Sequence, residues 1–241
     1  MTDSDKPESR PMSDFLRILE NEVQIAALAF LAAVYALRLV WLFRFRNRKD
    51  RTFPAGRGSA GAGYSLMSVA LPGAMESTRR RPGFYAQFII FHLGVAAAIA
   101  GTFIIPYAPG VFEVRPVMRL FQAVIGAAFF VGVLRLVRRM TNSVLREVSS
   151  PDDYFSLVLL LVWFAAAALA VPNRPDRGEW PLILYFGLTA FFLVYVPFSK
   201  ICHYLYYPFS RFYLGRSLGH RGAMPPLPGR RGAAPAAEDR P

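Results

Sequence analysis

The sequence predicts an all-α integral membrane protein, built as a bundle of five transmembrane helices. Of its 241 residues 54% are hydrophobic, these are gathered in blocks about 20 residues long, and the formal net charge is +12. An α-helix of roughly 20 residues spans about 30 Å, the thickness of the hydrocarbon core of a membrane. Apolar blocks combined with basic charge fit a membrane protein better than a nucleic-acid-binding one, so no nucleic acid partner is expected.

Each of the apolar blocks predicts one helix, and they cover residues 23–43, 84–105, 117–137, 154–171 and 181–207. A polar N-terminal segment, residues 1–22, precedes them and shows no cleavage site typical of a removable signal peptide. The membrane domain is expected to cover residues 23–216, with a long cytoplasmic loop at 44–83. The tail at 217–241 is rich in Pro, Gly, Ala and Arg, which predicts disorder.

The distribution of Lys and Arg between the loops predicts the orientation of the bundle. The loops after the first and third spans carry the basic clusters, Arg44, Arg46, Arg48, Lys49, Arg51, Arg57, Arg79, Arg80 and Arg81 in one and Arg138, Arg139 and Arg146 in the other. The loops after the second and fourth spans hold only Arg115, Arg174 and Arg177. Basic loops remain on the cytoplasmic side. The N-terminus is therefore expected outside and the C-terminus in the cytoplasm of a bacterial or archaeal cell, with the chain crossing the cell membrane several times.

The loop at 44–83 contains a glycine-rich part, residues 55–65, followed by a short apolar part, residues 66–75. The apolar part is too short to span a membrane. It is expected to lie on the inner membrane surface or against a partner.

Histidines mark the candidate functional site. His92 lies inside the second span and His203 near the inner end of the fifth, whereas His220 falls in the tail. Ionisable residues inside a membrane are costly, so each is a functional hypothesis. The choices are a satisfied polar contact, a proton relay, or ligation of a haem iron by two imidazoles. A relay normally uses a carboxylate, and the five blocks contain none.

Small residues near His92 are open to two interpretations. Gly94 and Gly101, with the alanines between them, leave room beside the helix for a flat macrocycle. Equally, small residues let helices pack closely in a membrane, with each histidine bonding a neighbouring helix. The residues alone leave both interpretations open.

Three motifs of the chain are "FHLG" at 91–94, "LVRRMTNSVLREVSSPDDYFSLVLLL" at 136–161 and "PFSKICHYLYYPFSRFYLGR" at 197–216. They resemble motifs of the membrane cytochrome b subunit of respiratory nitrate reductase, its gamma subunit. They also resemble motifs of related membrane subunits of heterodisulfide-reductase-like and sulfite-reductase-associated complexes. The last of the three motifs resembles the family's Pro-Phe-Ser-(Arg/Lys)-x-x-His signature most specifically. The likeness covers roughly residues 20–216.

The resemblance implies haem. Nitrate reductase-type members hold two b haems with four histidines on the second and fifth helices, and His92 and His203 match the pair nearer the cytoplasm. Thr102 and Tyr185 occupy the positions of the other pair, and neither is a usual axial ligand. One haem b on the cytoplasmic side is expected, with His92 and His203 as axial ligands of its iron. Lys200, Arg138 and Arg139 are candidates to contact its propionates, or are charges that set the topology.

The resemblance also implies a function. The chain is expected to be the electron-transfer subunit of a quinone-linked respiratory oxidoreductase complex. It would carry electrons between the quinone pool and a cytoplasmic iron–sulfur or molybdenum subunit, while surrounded by membrane lipids. Two other classes of protein were weighed. One is a haem-free membrane anchor for a soluble redox enzyme. The other is a small transporter, which should show paired broken spans or intramembrane carboxylates.

Overall fold

A computed structural model describes residues 13–44, 50–71 and 75–225 of the chain. Within these ranges all regular structure is helical, as predicted. In chain order the helices are α1 (Asp14–Glu20), α2 (Glu22–Arg44), α3 (Gly58–Ala70), α4 (Glu76–Arg80), α5 (Pro82–Tyr107), α6 (Gly110–Glu113), α7 (Arg115–Thr141), α8 (Ser143–Glu147), α9 (Pro151–Ala170), α10 (Trp180–Tyr195) and α11 (His203–His220), with 3₁₀ turns at Pro175–Arg177, Val196–Phe198 and Lys200–Cys202.

The chain forms two compact units. The first unit combines the residues up to Leu42 with Gly83–Cys202, and the second combines Phe43–Pro82 with the residues from His203 onward. The expected membrane domain at 23–216 is thus divided between them.

Five helical segments are long and apolar enough to cross a membrane, which confirms the predicted number of spans and marks a multi-pass membrane protein. They are Asp14–Arg44, Pro82–Tyr107, Arg115–Thr141, Pro151–Ala170 and Trp180–Phe198. The first of these includes α1, so part of the predicted polar N-terminal segment is helical. Residues 1–12 of that segment lie outside the described residues.

The fifth span is shorter than predicted. It ends at Phe198 instead of continuing through residue 207. Pro197 has no N–H for the helical ladder, and the backbone changes from α10 to a 3₁₀ turn over Val196–Phe198. Ser199 then adopts an extended conformation. His203 therefore begins a separate helix, α11, rather than lying near the end of the fifth span.

Packed aromatic and small side chains form the core of the first unit. Phe164 and Phe186 are fully buried, as are Ile125 and Ala128 on α7. α1 is attached to this core at one end of the bundle, where Leu16 is fully buried. Polar contacts hold the attachment, because the Ser13 backbone N–H donates to Glu179 Oε1 over 2.6 Å.

The second unit is built on the crossing of α3 and α11. The glycine-rich part of the long loop forms most of α3. A Cβ placed on Gly215 would lie 2.5 Å from the Cβ of Ser65, and one placed on Gly219 would lie 2.8 Å from the Cα of Gly61. Real Cβ atoms do not approach so closely, so the crossing requires glycine at these positions. Small residues in the long loop thus serve helix packing rather than flexibility.

Polar contacts reinforce this crossing on two sides. The Arg211 guanidinium donates to the backbone oxygen of Ser65 over 3.0 Å and to the Ser68 hydroxyl over 2.8 Å. Near the end of α11, Arg221 Nε lies 2.8 Å from the Asp50 carboxylate. Hydrogen bonds from Arg221 and Thr52 hold the pKa of Asp50 below its ordinary value.

The apolar part of the long loop, expected on the membrane surface or against a partner, contributes its first residues to α3. Ser68 on this part is buried, whereas Leu66 and Met67 are exposed. Residues 72–74 lie outside the described residues. At the other end of the unit α11 continues to His220, past residue 217 where the disordered tail was expected to begin. Residues 226–241 of that tail also lie outside the described part.

Candidate functional site

The ring of His92 has a defined tautomer. Its Nδ1 lies 2.8 Å from the backbone oxygen of Phe88, one helical turn earlier. A carbonyl oxygen only accepts hydrogen bonds, so Nδ1 must carry the hydrogen and donate it. In the neutral ring the remaining nitrogen, Nε2, then carries the lone pair, and among the described residues it has no hydrogen-bond partner. A metal-ligating imidazole typically has this arrangement, with its second nitrogen donating to a carbonyl.

His92 lies on the exposed face of α5. Phe88, Ala96 and Ile99 share this face at helical spacing and are exposed as well. The Phe88 ring lies 4.0 Å from the imidazole, centroid to centroid. Space for a planar ligand beside Nε2 is therefore on the face shared with Ala96, away from the core of the first unit.

Gly94 and Gly101 lie on the opposite, buried face of α5. A Cβ on Gly94 would collide with the Cβ of Ala128 on α7, and one on Gly101 would lie 2.9 Å from the Tyr185 hydroxyl. At these two positions close helix packing, the alternative weighed from the sequence, is what the structure has. The space beside them, which the other interpretation assigned to a macrocycle, is filled by neighbouring helices.

His203 is the first residue of α11 and is exposed. The ring of Tyr204 lies edge-on to its imidazole, with 6.4 Å between the ring centroids. His203 belongs to the second unit and His92 to the first.

The three candidate propionate contacts already have protein partners. Lys200 Nζ lies 2.8 Å from Asp153 Oδ2, and Arg139 Nη1 donates to the Ser149 hydroxyl over 2.6 Å. The Arg138 guanidinium lies 4.2 Å from the centroid of the Phe84 ring. Lys200 and Arg139 thus share a carboxylate environment near the start of α9, whereas Arg138 stacks on α5.

A polar network at the start of α9 was missed from the sequence, because the fourth apolar block was taken to begin at residue 154. α9 begins at Pro151, which places Asp152 and Asp153 in its first turn. The Tyr195 hydroxyl donates to Asp152 Oδ1 over 2.5 Å and lies 2.9 Å from the Ser156 hydroxyl. The capping box formed by Ser150 and Asp153 was the sequence signal for this start.

Arg135 was also missed. It lies inside the predicted third span, three residues before Arg138, and its guanidinium is 5.0 Å from the centroid of the Phe91 ring. α7 therefore places two cations against aromatic rings of α5, on the stretch of α5 that contains His92. The spacing of three residues between Arg135, inside the predicted block, and Arg138, just beyond it, was a signal that the two side chains lie on one side of the helix.

Thr102 and Tyr185, which occupy the positions of the second histidine pair, have structural contacts instead. The Thr102 hydroxyl donates to the backbone oxygen of Ile99 over 2.6 Å. The Tyr185 hydroxyl donates to the backbone oxygen of Ala98 in the buried core. The Tyr185 side chain fills the space beside Gly101.

Comparison with known proteins adds little to these observations. No family model matches the chain. A protein of Nitratidesulfovibrio vulgaris, named only "Protein", is 28% identical over 195 residues, which covers 74% of this chain and 82% of that one. The chain therefore has a bacterial relative of similar length, and the comparison assigns it no function.

Proposed function

We propose that the chain is a membrane haem b subunit that transfers electrons between the quinone pool and a cytoplasmic iron–sulfur or molybdenum oxidoreductase. The observation that supports this most directly is His92, whose Nδ1–H is engaged by Phe88 and whose Nε2 lone pair is presented on an exposed helix face.

His92 and His203 are the proposed axial ligands of one haem b near the cytoplasmic side. When bound, the haem supplies a one-electron iron couple. The hydrogen bond to the Phe88 carbonyl fixes the orientation of the His92 ring. Phe88 and Ile99 provide apolar surface on the same face, which would keep water from the iron.

Arg135 and Arg138 are basic groups that lie against aromatic residues of α5, the helix that carries His92. Each is held by a cation–π contact instead of a carboxylate. A guanidinium that lies against an aromatic ring can still donate hydrogen bonds to an anionic propionate. Lys200 and Arg139 are weaker candidates for a propionate contact, because the carboxylate of Asp153 lies beside both of them.

The second candidate function is a haem-free membrane anchor for a soluble redox enzyme. Two observations favour it. Neighbouring helices fill the space beside Gly94 and Gly101, and Lys200 forms an ion pair within the protein. An anchor would keep the fold and these contacts without a redox group.

A reduced-minus-oxidised visible spectrum of the purified protein distinguishes the two functions. The intact chain should contain one b-type haem, and His92→Ala and His203→Ala should each lose it. His220→Ala is the matched control, because His220 hydrogen-bonds the backbone oxygen of Thr52 over 2.9 Å and should leave the haem content unchanged. A haem-free preparation from haem-replete membranes would establish the anchor instead.

A further inference from the structure

A cavity of about 360 Å³ opens at the end of the first unit where α5 connects to α7 and α9 connects to α10. Its charged lining residues are Arg115, Arg119, Arg174 and Glu113. The lining of this cavity therefore contains three cations and one carboxylate. The proposed electron-transfer function uses none of these residues.

Two of the arginines come from one helix face. Arg115 and Arg119 are four residues apart on α7, so their side chains leave the helix one above the other. Like charges at this spacing destabilise a helix. Arg174 adds a third cation from the connection after α9.

The protein does not neutralise this charge with its own groups. In the part of the chain that the structure describes, Arg115, Arg119 and Arg174 take part in no ion pair or side-chain hydrogen bond. By contrast, Lys200 is paired with a carboxylate at 2.8 Å. All three side chains are exposed, so their guanidinium groups are solvated and available to an anion from outside the described chain.

The start of α7 adds to the positive potential. Arg115 is its first residue, no side chain caps it, and the helix is 27 residues long. The free N–H groups and the dipole of such a helix favour an anion at this end. Met118 and Pro172 supply apolar surface in the same cavity.

Topology-setting charge is the alternative explanation for these arginines. In the proposed orientation, however, they lie at the outer end of the bundle, opposite to the side that basic loops mark. The rule that basic loops stay in the cytoplasm therefore does not explain these arginines, whereas an anionic partner at the outer membrane surface would.

We propose that this cavity binds a phosphate-bearing anion, either the headgroup of an anionic phospholipid or free phosphate. Guanidinium groups match phosphate oxygens in geometry and keep their charge at all relevant pH values. The site stands independently of haem ligation.

Native mass spectrometry of the full-length protein tests the proposal, after release from phosphatidylcholine nanodiscs with and without phosphatidylglycerol. We expect one phosphatidylglycerol retained per chain. Retention should fall about tenfold in the double variant Arg115→Gln/Arg174→Gln, which removes two charge-assisted contacts. The matched control is Arg177→Gln, which removes an arginine from the same connection without touching the cavity lining.

A second arm separates the two sources of phosphate. Inorganic phosphate is added to the detergent-solubilised protein, and thermal stability is measured. Stabilisation by phosphate alone, abolished in the double variant, would support a soluble ligand. A third variant, Glu113→Gln, keeps the arginines and should strengthen retention of either ligand. Equal phosphatidylglycerol retention by all variants, with no effect of phosphate, would overturn the proposal.

Discussion

At the scale of single residues, several polar side chains of the first unit donate hydrogen bonds across helix contacts, although the buried Oε1 of Glu20 has no hydrogen-bond partner among the described residues. The Trp163 indole N–H donates to the Thr189 hydroxyl over 2.9 Å, and both residues are buried. Gln122 Nε2 similarly donates to the backbone oxygen of Ala168 over 3.0 Å. His92 differs from these residues because its hydrogen bond stays within its own helix and leaves Nε2 available.

Replacing Thr189 with Val should destabilise the protein by about 1 kcal/mol, since the isosteric change leaves the buried Trp163 N–H without an acceptor. The measurement is reversible unfolding in mixed micelles with increasing sodium dodecyl sulfate. Thr102→Val is the matched control, because the Thr102 hydroxyl bonds only within its own helix turn and is partly exposed. Equal losses in the two variants would contradict the importance of the Trp163 contact.

At the scale of helices, sequence patterns predicted the spans better than their ends. Apolar block length was enough to place all five spans. The end of the fifth span was misplaced, because the apolar block continues to residue 207 although the backbone leaves the α-helical conformation at Val196–Phe198. The packing of α3 against α11 could not be predicted either, because contacts between distant glycines leave no periodic signal in the loop.

The residues of the candidate site could be predicted only in part, as was the case for the helices. His92 could be found because a single polar residue in an apolar block is conspicuous. The partners of Lys200 and Arg139 could not, because the carboxylate of Asp153 lies just outside the apolar block, where sequence hydropathy gives no signal.

The α3–α11 crossing should be sensitive to a single methyl group. Gly215→Ala places a Cβ 2.5 Å from that of Ser65, and such overpacking typically costs about 1–3 kcal/mol. Hydrogen exchange of the full-length protein should then show faster exchange in both α3 and α11. In the control Gly63→Ala the new methyl group meets no atom within 4 Å, and exchange should stay unchanged or slow slightly. Unchanged exchange in Gly215→Ala would mean that the helices do not cross at these glycines.

At the scale of the whole molecule, the five apolar helices make the chain a multi-pass membrane protein, and its orientation is the next property to establish. The proposed haem site and the proposed phosphate site depend on it in different ways. His92 is assigned to the cytoplasmic half only if the basic loops lie inside. Arg115 and Arg174 face the outer surface in that same orientation.

Reporter fusions test the orientation. Alkaline phosphatase, which is active only outside the cytoplasm, should be active when fused after Arg177 and inactive when fused after Arg146. A fluorescent protein fused after Pro241 should fluoresce, because it folds in the cytoplasm. The opposite pattern would place the basic loops outside and reverse the assignment of both proposed sites.

The α3–α11 crossing also has a consequence for how the protein is made. The guanidinium of Arg211 and its acceptor on Ser65 are 146 residues apart in the chain. At roughly 5–20 residues per second, a ribosome needs about 7–30 s to produce the second after the first. During that interval α3 has emerged without the helix that covers its small-residue face, and later spans are still entering the membrane. Nascent chains halted before α11 would therefore expose this bare face of α3.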